Sequence, residues 1–449
     1  MDMVKDKNKI YIFNKGGIFL FLLSCSLLFG ACSLERRLSS NLDQNFKRSK
    51  ILNGHHVGFV LFDPVERKTV FEKDANKYFV PASNVKLLTF LTTLKMLGDS
   101  VPSLRYIERN DSLIFWGTGD PSFLQSRMKE GHAFDFLKAT NRKLFFAPGR
   151  YIGPPYGQGW SWDDYNDYYQ AEINELPVMD NLIHVKAENG KLQIRPGAFL
   201  DCFVIDSVAR VKPFNVRRNV TENVFSYPLM SIPDGFSQEI PYKLSVATTL
   251  TLLSDTLHKP VGLVRMNMPE DAKTCYNVRT DSLLKEMLQP SDNFIAEQLL
   301  LVCSNQLGSD LSTEKTIKQM LRTHLSGLPD SVAWVDGSGL SRMNLLTPRD
   351  ITTVLDLIYK EINDERRLFS LLPAGGKSGT LKNAYPKTEN PYVFGKTGTL
   401  SNIHNQSGYV LTKKGKLYIY SFMNNNFVHQ TTTIRNEIGR IIREVHEKF

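Results

Sequence analysis

Cysteine is scarce in this chain, with five residues among 449. So few cysteines exclude a small scaffold that is held together by disulfides. The hydrophobic share of 42% and the charged share of 22% are those of an ordinary globular protein, which excludes collagen-like, disordered and multi-spanning membrane classes. The length allows two or three domains, one of them with a substantial core.

Clustered positive charge is also missing, although the net charge is +9. The basic residues are scattered, and no Lys/Arg run accompanies an aromatic stacking pattern, so we do not predict nucleic-acid binding. The pair His55-His56 is interpreted as a strand edge, because a catalytic zinc site usually takes three protein ligands. We expect no metal and no organic cofactor.

The apolar run at the N-terminus, residues 18–29, is shorter than the roughly 20 residues that span a bilayer. Lysines precede it and the small residues Gly30-Ala31 follow it, which is the order of a secretory signal. Residues 28–32 resemble a lipobox, which predicts a lipoprotein signal peptide over residues 1–31 and lipidation of Cys32. A soluble secreted protein and an uncleaved anchor remain alternatives. We expect secretion across a bacterial inner membrane and a periplasmic or cell-envelope location.

The remaining chain changes character several times. Residues 32–52 are polar without periodicity, which predicts a polar tether. A hairpin and a helix follow, and residues 104–249 are rich in short strands, turns and aromatics, which predicts an inserted β-rich domain. Helical patterning then gives way to strands and to a last helix with an isoleucine stripe. We expect the first hairpin and the last strands to share one sheet, in a catalytic domain of residues 53–103 and 250–449.

The pair Ser83 and Lys86 carries the first candidate chemistry. Serine becomes a nucleophile when a base takes its proton, and lysine is such a base once burial or a nearby cation lowers its pKa. Residues three apart at a helix start lie on one face. Three other Ser-x-x-Lys matches begin at Ser126, Ser282 and Ser312. Context favours Ser83, because it opens a helix whose free N–H groups can help to hold an oxyanion.

Two further motifs follow in order along the chain. Ser291-Asp292-Asn293 comes directly after a helix-breaking proline, and Lys396-Thr397-Gly398-Thr399 ends a predicted strand. Ser-x-x-Lys, Ser-x-Asn and Lys-Thr-Gly in this order are typical of penicillin-binding proteins and class A β-lactamases. A second copy, Lys377-Ser378-Gly379, has the composition of a loop, so we assign the catalytic role to Lys396.

With these residues the chain resembles the low-molecular-mass penicillin-binding proteins that act as D-alanyl-D-alanine carboxypeptidase/endopeptidase and carry a long insertion between their first two motifs. The resemblance extends from about residue 55 to the C-terminus. It implies an α/β fold of the serine β-lactamase/penicillin-binding transpeptidase type, an antiparallel sheet packed by helices plus an all-α lobe, with an inserted β-rich domain. The matching stretches begin at Val80, Gly119, Trp160, Ser291, Asp336 and Gly395.

The resemblance also implies roles for the motif residues. Ser83 would attack the peptide bond between two D-alanines, Lys86 would take its proton, and Ser291 with Asn293 would relay that proton and orient the substrate. Backbone N–H groups of Ser83 and Thr399 would form the oxyanion hole. Lys396, Thr397 and Thr399, on the Gly398 strand, would supply charge and hydroxyls for a terminal carboxylate. The implied partners are peptidoglycan stem peptides, β-lactams as covalent inhibitors and a membrane that holds the lipid.

The aromatic run from Trp160 to Tyr169 has two interpretations. It is a packed corner of the insert, or Asp164, or its neighbour Asp163, meets the side-chain amine of a diaminoacid stem residue, as in the similar family segment. A β-lactamase or esterase on the same fold stays an alternative, although the class A Glu-x-x-Leu-Asn motif is missing between Ser291 and Lys396. A catalytically idle peptidoglycan-binding lipoprotein or β-lactam sensor is another. The sequence leaves the oligomeric state and the balance of terminal cleavage against cross-link cleavage open.

Overall fold

The computed structural model describes residues 35–128, 131–208 and 213–449. Its first sheet has five antiparallel strands in the order β14-β15-β16-β1-β2, so the first hairpin and the last strands share one sheet, as predicted. β14 lies at an edge of this sheet. The strands are β1 (His56–Asp63), β2 (Lys68–Lys73), β14 (Val393–Leu400), β15 (Ile403–Leu411) and β16 (Leu417–Asn425).

Helices cover both faces of this sheet. Helix α1, residues 35–48, and helix α10, Thr431–Lys448, share a core with one face, and the predicted isoleucine stripe of α10 packs there. The other face packs against α2 and α8, which lead into an all-α lobe. The helices on this side are α2 (Lys86–Met96), α5 (Thr280–Leu288), α6 (Asn293–Ser304), α7 (Thr313–Thr323), α8 (Pro348–Ile362) and α9 (Glu365–Leu371).

The predicted polar tether over residues 32–52 is wrong for its described part. Residues 35–48 form α1, and Leu38, Leu42 and Phe46 are almost fully buried in the core beneath it. These three residues lie four apart, which is one face of a helix. Charged and amide side chains fill the positions between them, so the segment is polar in composition and still amphipathic.

The β-rich unit is inserted between α2 and α5, and it is longer than predicted. Its main sheet has the order β12-β5-β4-β3-β13, so it starts at Ser100 and ends at Arg279 rather than covering residues 104–249. Strand β13 pairs with β3 and closes the unit, which sequence patterning alone does not reveal. The main strands are β3 (Ser100–Arg109), β4 (Ser112–Gly117), β5 (Lys143–Phe146), β12 (Val261–Leu263) and β13 (Lys273–Arg279).

In the described part of the insert, two three-stranded sheets, two α-helices and several short 3₁₀-helices accompany the main sheet. The sheets have the orders β11-β6-β7 and β8-β10-β9, and they share a hydrophobic core with the main sheet of the insert. Cys202 and Cys275 in the insert, and Cys303 on α6, are free thiols. The α-helices and strands of these parts of the insert are α3 (His132–Ala139), β6 (Leu182–Glu188), β7 (Lys191–Arg195), β8 (Phe203–Asp206), β9 (Arg217–Arg218), β10 (Phe225–Pro228), β11 (Ser237–Pro241) and α4 (Val246–Leu257).

Candidate active site

Ser83 lies in a short 3₁₀-helix, Ala82–Val85, that runs directly into α2. This turn is fixed to the first sheet, because the Asn84 amide donates to Ser407 Oγ over 3.1 Å. Ser83 itself stays partly exposed while its neighbours are buried. The sheet and the helix therefore hold the hydroxyl in place without covering it.

Lys86 is fully buried beneath Ser83, and its Nζ has three neighbours. It lies 3.0 Å from Ser83 Oγ, 2.6 Å from Asn293 Oδ1 and 2.6 Å from the Ser338 carbonyl oxygen. A neutral amine has two N–H donors and one lone pair. With both donors directed to the two carbonyl oxygens, the lone pair is left for the Ser83 proton.

Burial lowers the pKa of Lys86 from its ordinary 10.5 to about 8, because an ammonium loses hydration in this site. The negative charges of Asp336, Asp292 and Glu297 oppose this shift. A lysine with a pKa near 8 has a substantial neutral fraction close to neutral pH. It is therefore suited to act as a general base.

Lys396 lies on the edge strand β14 and is also fully buried. Its Nζ donates to Ser291 Oγ and to the Thr397 carbonyl oxygen, both at 2.7 Å. Burial and the charge of Lys86 hold the pKa of Lys396 well below its ordinary value. Ser291 has a left-handed φ of 67°, and the next residue, Asp292, caps α6 by accepting from Ile295 N at 2.8 Å.

Asn293 connects the two lobes. It is the first residue of α6, its Oδ1 accepts from Lys86, and its Nδ2 donates to the Tyr169 carbonyl oxygen in the insert over 3.2 Å. The structure therefore brings the five predicted catalytic residues together in two neighbouring hydrogen-bonded sets, Ser83 with Lys86 and Asn293, and Ser291 with Lys396.

Two glycines allow the chain to approach the Ser83 turn closely. A Cβ at Gly398 would lie 2.5 Å from the Pro81 oxygen and 2.9 Å from Ser83 N, so β14 passes directly beside the nucleophile. Gly339 has a φ of +84°, and its Cβ would lie 2.0 Å from the Ala82 oxygen. Side chains at these positions would displace the turn. The tight fit places Thr399, the residue after Gly398, at the mouth of the cleft.

The duplicated motifs are clearly separated by the structure. Lys377 is exposed in a loop, and its Nζ donates to the Glu389 carbonyl oxygen at 3.1 Å, so it lies outside the group around Ser83. Of the other serines, Ser312 caps α7 and Ser282 lies in α5. Ser126 borders the cleft but donates to Asp180 over 2.8 Å, and the lysine that completes its motif is outside the described residues.

A cleft of about 800 Å³ opens above these residues. Asp163 and Asp164 line it from the insert, in the 3₁₀-helix Trp162–Asn166. Asp163 is exposed, whereas Asp164 is half-buried. Partial burial, with the nearby charges of Asp167 and Asp163, raises the pKa of Asp164. The two predicted carboxylates are therefore on the cleft wall that faces the catalytic group.

The stretch that begins at Asp336, which matches the resembled family but to which the sequence analysis assigned no role, forms a buried turn over residues 336–339 beside Lys86. Asp336 accepts from Gly339 N at 2.9 Å, Ser341 N at 2.8 Å and Asn344 Nδ2 at 2.7 Å. This fixes the turn whose Ser338 carbonyl contacts Lys86. The sequence contained a signal for a buried, carboxylate-fixed turn, because Asp336 stands between the apolar pair Trp334-Val335 and the turn residues Gly-Ser-Gly.

Glu297, one helical turn after Asn293, holds the 336–339 turn from below. Its fully buried carboxylate accepts from Gly337 N at 2.9 Å and from Ser338 N at 2.7 Å. Burial, first of all, and the charge of Asp336 raise the pKa of Glu297 above its ordinary value. Helix α6 thus supplies one Lys86 acceptor directly, through Asn293, and orients a second, the Ser338 carbonyl.

The proposed lipidation site, Cys32, lies outside the described residues. In the part of the chain that the structure describes, no helix combines the length and the apolar character needed to cross a bilayer. Within the same ranges, no three His, Cys, Asp or Glu side chains are grouped so that they could hold a metal ion.

Solved structures support the fold. The penicillin binding protein 4 (dacB) of Haemophilus influenzae superposes with a TM-score of 0.71 at 18% identity, covering 91% of this chain and 99% of the other. A second structure of that protein, complexed with a novel β-lactam, superposes with a TM-score of 0.65 at 17% identity and the same coverage. At these identities the likeness concerns the fold alone.

Sequence comparisons extend over most of the chain. The D-alanyl-D-alanine carboxypeptidase DacB of Haemophilus influenzae is 22% identical over 439 residues, 86% of this chain and 88% of the relative. A D-alanyl-D-alanine carboxypeptidase of Actinomadura sp. is 26% identical over 432 residues, 83% of this chain and 78% of the relative. The profile of one peptidase family matches residues 38–220 and 255–445. The chain therefore belongs to the D-Ala-D-Ala carboxypeptidase 3 (S13) family.

Proposed function

We propose that this chain is a serine DD-peptidase that cleaves the D-Ala-D-Ala bond, or D-alanyl cross-links, of peptidoglycan through an acyl-enzyme on Ser83. The observation that carries the proposal is the position of Lys86, 3.0 Å from Ser83 Oγ with its other two contacts made to carbonyl oxygens. Family membership and two relatives named D-alanyl-D-alanine carboxypeptidase support the substrate class.

Acylation begins when Lys86 takes the Ser83 proton and Ser83 Oγ bonds to the carbonyl carbon of the penultimate D-alanine. The carbonyl becomes an oxyanion, which backbone N–H groups of Ser83 and Thr399 stabilise. The C–N bond then breaks, and the leaving amine needs a proton. The proton that Lys86 took from Ser83 reaches the amine through the Ser291 hydroxyl, which contacts Lys396 at 2.7 Å, and this leaves Lys86 neutral again. Asn293, whose amide contacts Lys86, orients the peptide.

Deacylation reverses these roles. A water molecule loses its proton to Lys86 and attacks the ester carbonyl, the bond from Ser83 Oγ to carbon breaks, and Ser83 recovers a proton. β-Lactams would form the same ester bond with Ser83. Their acyl-enzyme persists to the extent that water reaches the ester slowly.

Substrate recognition is assigned to the two sides of the cleft. On the strand side, Thr399 lines the cleft and would supply a hydroxyl for a carboxylate, and the buried Lys396 would supply positive charge. The Thr397 hydroxyl, expected to meet the same carboxylate, instead donates to Thr380 Oγ1 over 2.8 Å. Gly398 allows the strand to lie against Ser83. On the insert side, Asp164, or Asp163 beside it, would pair with a stem-peptide amine through a charge-assisted hydrogen bond.

We further propose that the protein works in the bacterial cell envelope as a lipoprotein. The support is the N-terminal signal pattern and the lipobox-like stretch that ends at Cys32. The peptidoglycan substrate requires a location outside the inner membrane. A lipid on Cys32 would keep the enzyme on a membrane next to that substrate.

Intact-mass measurement after penicillin treatment tests the nucleophile. The wild type should gain one penicillin mass and Ser83→Ala none, whereas Ser312→Ala, which alters another Ser-x-x-Lys motif, should gain it normally. An adduct that persists in Ser83→Ala contradicts the proposal. The lifetime of the adduct separates the alternatives: rapid loss with turnover indicates a β-lactamase, and a stable adduct without D-alanine release from peptides indicates a sensor.

A further inference from the structure

We propose that His404 is a positioning residue that turns the Thr399 hydroxyl toward the cleft, as a hydrogen-bond donor for the carboxylate of the substrate. The proposal rests on the proposed function, in which Thr399 contacts that carboxylate. His404 lies on β15, whereas none of the three sequence motifs lies on that strand.

Thr399 and His404 are direct neighbours across the β14-β15 pair. Thr399 is exposed at the cleft, whereas His404 is almost fully buried behind it. His404 Nδ1 lies 2.8 Å from Thr399 Oγ1, which is a hydrogen bond. The direction of this bond decides what the hydroxyl can offer to a substrate.

His404 is neutral in this environment. Burial, with the positive charges of Arg435 on α10 and Lys396 on β14, lowers the pKa of His404 to about 4. A neutral imidazole carries its proton on one nitrogen only. Either Nδ1–H donates to Thr399 Oγ1, or Nε2 carries the proton and Nδ1 accepts from the threonine.

The surroundings of Nε2 favour the first tautomer. His404 Nε2 is buried and makes no hydrogen bond to any residue that the structure describes. A buried N–H without an acceptor loses its hydrogen bond to water, and unpaired buried donors are rarer in proteins than under-satisfied acceptors. With the proton on Nδ1, that donor is paired with Thr399 instead.

The consequence lies on the cleft side. When His404 Nδ1–H donates to Thr399 Oγ1, the threonine proton is free to be donated outward. A carboxylate accepts hydrogen bonds and donates none, so this orientation matches a peptide that ends in a free carboxylate. In the other tautomer the hydroxyl proton would be held by His404, and a threonine lone pair would face the substrate charge.

Histidine NMR on the wild type tests the tautomer without any variant. Long-range ¹H–¹⁵N spectra at about pH 8 distinguish a protonated from an unprotonated ring nitrogen, and the loss of one signal in His404→Asn assigns it. His446 is an internal reference, because its Nδ1 lies 2.6 Å from the Leu411 carbonyl oxygen, which can only accept. We expect the His404 signal to have the Nδ1–H pattern of His446. An Nε2–H pattern overturns the proposal.

Kinetics test the effect on recognition with a peptide ending in D-Ala-D-Ala and with its C-terminal carboxamide. His404→Leu should lower kcat/KM for the carboxylate peptide roughly tenfold or more and for the carboxamide less than about threefold. His404→Asn, which has the shape of leucine and an amide N–H near the Nδ1 position, should recover part of the loss. Equal losses on both peptides would show a merely structural role and contradict the proposal.

Two controls separate this result from a failure of the proposed function. His446→Asn, on α10 and outside the cleft lining, should leave both peptides unaffected. Penicillin adduct formation at Ser83 should persist in His404→Leu at a reduced rate. If Ser83→Ala still forms the adduct, the proposed nucleophile is wrong, whatever the histidine variants show.

Discussion

The indole Nε1 of Trp160 donates a hydrogen bond to Asp336 Oδ2 over 3.0 Å. Trp160 belongs to the insert, and Asp336 fixes the turn whose Ser338 carbonyl contacts Lys86. The next residues after Trp160 lead to Asp163 and Asp164 on the cleft wall. The Trp160 side chain thus connects the insert wall of the cleft, which carries Asp163 and Asp164, to the turn that contacts the general base Lys86.

Trp160→Phe should lower the rate of penicillin acylation roughly three- to tenfold. The variant keeps an aromatic ring but removes one donor to a buried carboxylate, a contact in the class worth about 1.5–3 kcal/mol, and part of that loss should reach the turn. Stopped-flow acylation measures the effect. Trp162→Phe is the matched control, since Trp162 is 79% exposed. Equal rates in the two variants would show that the insert does not influence the base.

The rate of acylation by penicillin should rise with pH, with a midpoint near 8. Lys86 accepts the serine proton only in its neutral form, and burial lowers its pKa to about 8, so the active form accumulates above that pH. Asp336→Asn removes a negative charge that raises this pKa, and its midpoint should move to lower pH. Trp160→Phe retains the charge and should keep the wild-type midpoint. A midpoint that stays in place or rises in Asp336→Asn would contradict the assignment of Lys86.

Lys396→Ala should lower the rate of acylation by penicillin about a hundredfold or more, while Lys377→Ala should keep the wild-type rate. Lys396 is buried against Ser291, and its removal takes away a positive charge and a hydrogen-bond donor next to that serine. Lys377 is exposed, and its Nζ donates to the loop carbonyl oxygen of Glu389. Acylation rates of the two purified variants decide the matter. The same loss in both would mean that the second motif copy also serves the site.

Asp164→Asn should lower kcat/KM roughly ten- to a hundredfold on peptides with a free side-chain amine. Acylation by penicillin, which lacks that amine, should barely change. The matched variant Asp163→Asn should have the smaller effect, because Asp163 is the more exposed of the two. If peptide and penicillin rates fall together, Asp164 supports the fold; if neither falls, Asp163 becomes the candidate.

Cys32→Ser should abolish incorporation of labelled fatty acid and prevent normal processing of the precursor. Two acyl chains on this cysteine would give stable membrane attachment where one chain is marginal. Metabolic labelling and N-terminal mass analysis of the mature protein measure both effects. Unchanged processing at a different position would indicate plain secretion.

The sequence predicted most reliably what depends on local order. Ser83 and Lys86 are three residues apart on one turn, and the strand context separated Lys396 from Lys377 before any contact was known. The motif residues and the individual strands at the two ends of the chain are encoded within short windows of sequence. Their shared sheet was inferred from these strands and the isoleucine stripe of the last helix, although the pairing of β1 with β16 spans more than 350 residues.

The features that sequence reasoning missed depend on contacts between distant segments. Glu297 holds the backbone of Ser338 across 41 residues, and β13 pairs with β3 across more than 160 residues. Neither has a periodicity of its own. Helix α1 was missed for a different reason. Its three buried residues are separated by polar residues, so the segment reads as polar, and they form a core only by packing against α10 and the first sheet.

The docking of α1 sets how far the enzyme could reach from a membrane. Glu35, at the start of the described helix, forms ion pairs with Lys68 at 2.6 Å and Lys416 at 3.2 Å, which clamp it to the first sheet. Only two residues lie between Cys32 and Glu35, so these two residues are at most about 11 Å apart when the chain is fully extended. A free linker to residue 52 would have allowed roughly 70 Å. A lipid on Cys32 would therefore hold the first sheet close to the bilayer surface, and the active site would have little freedom to move away from it.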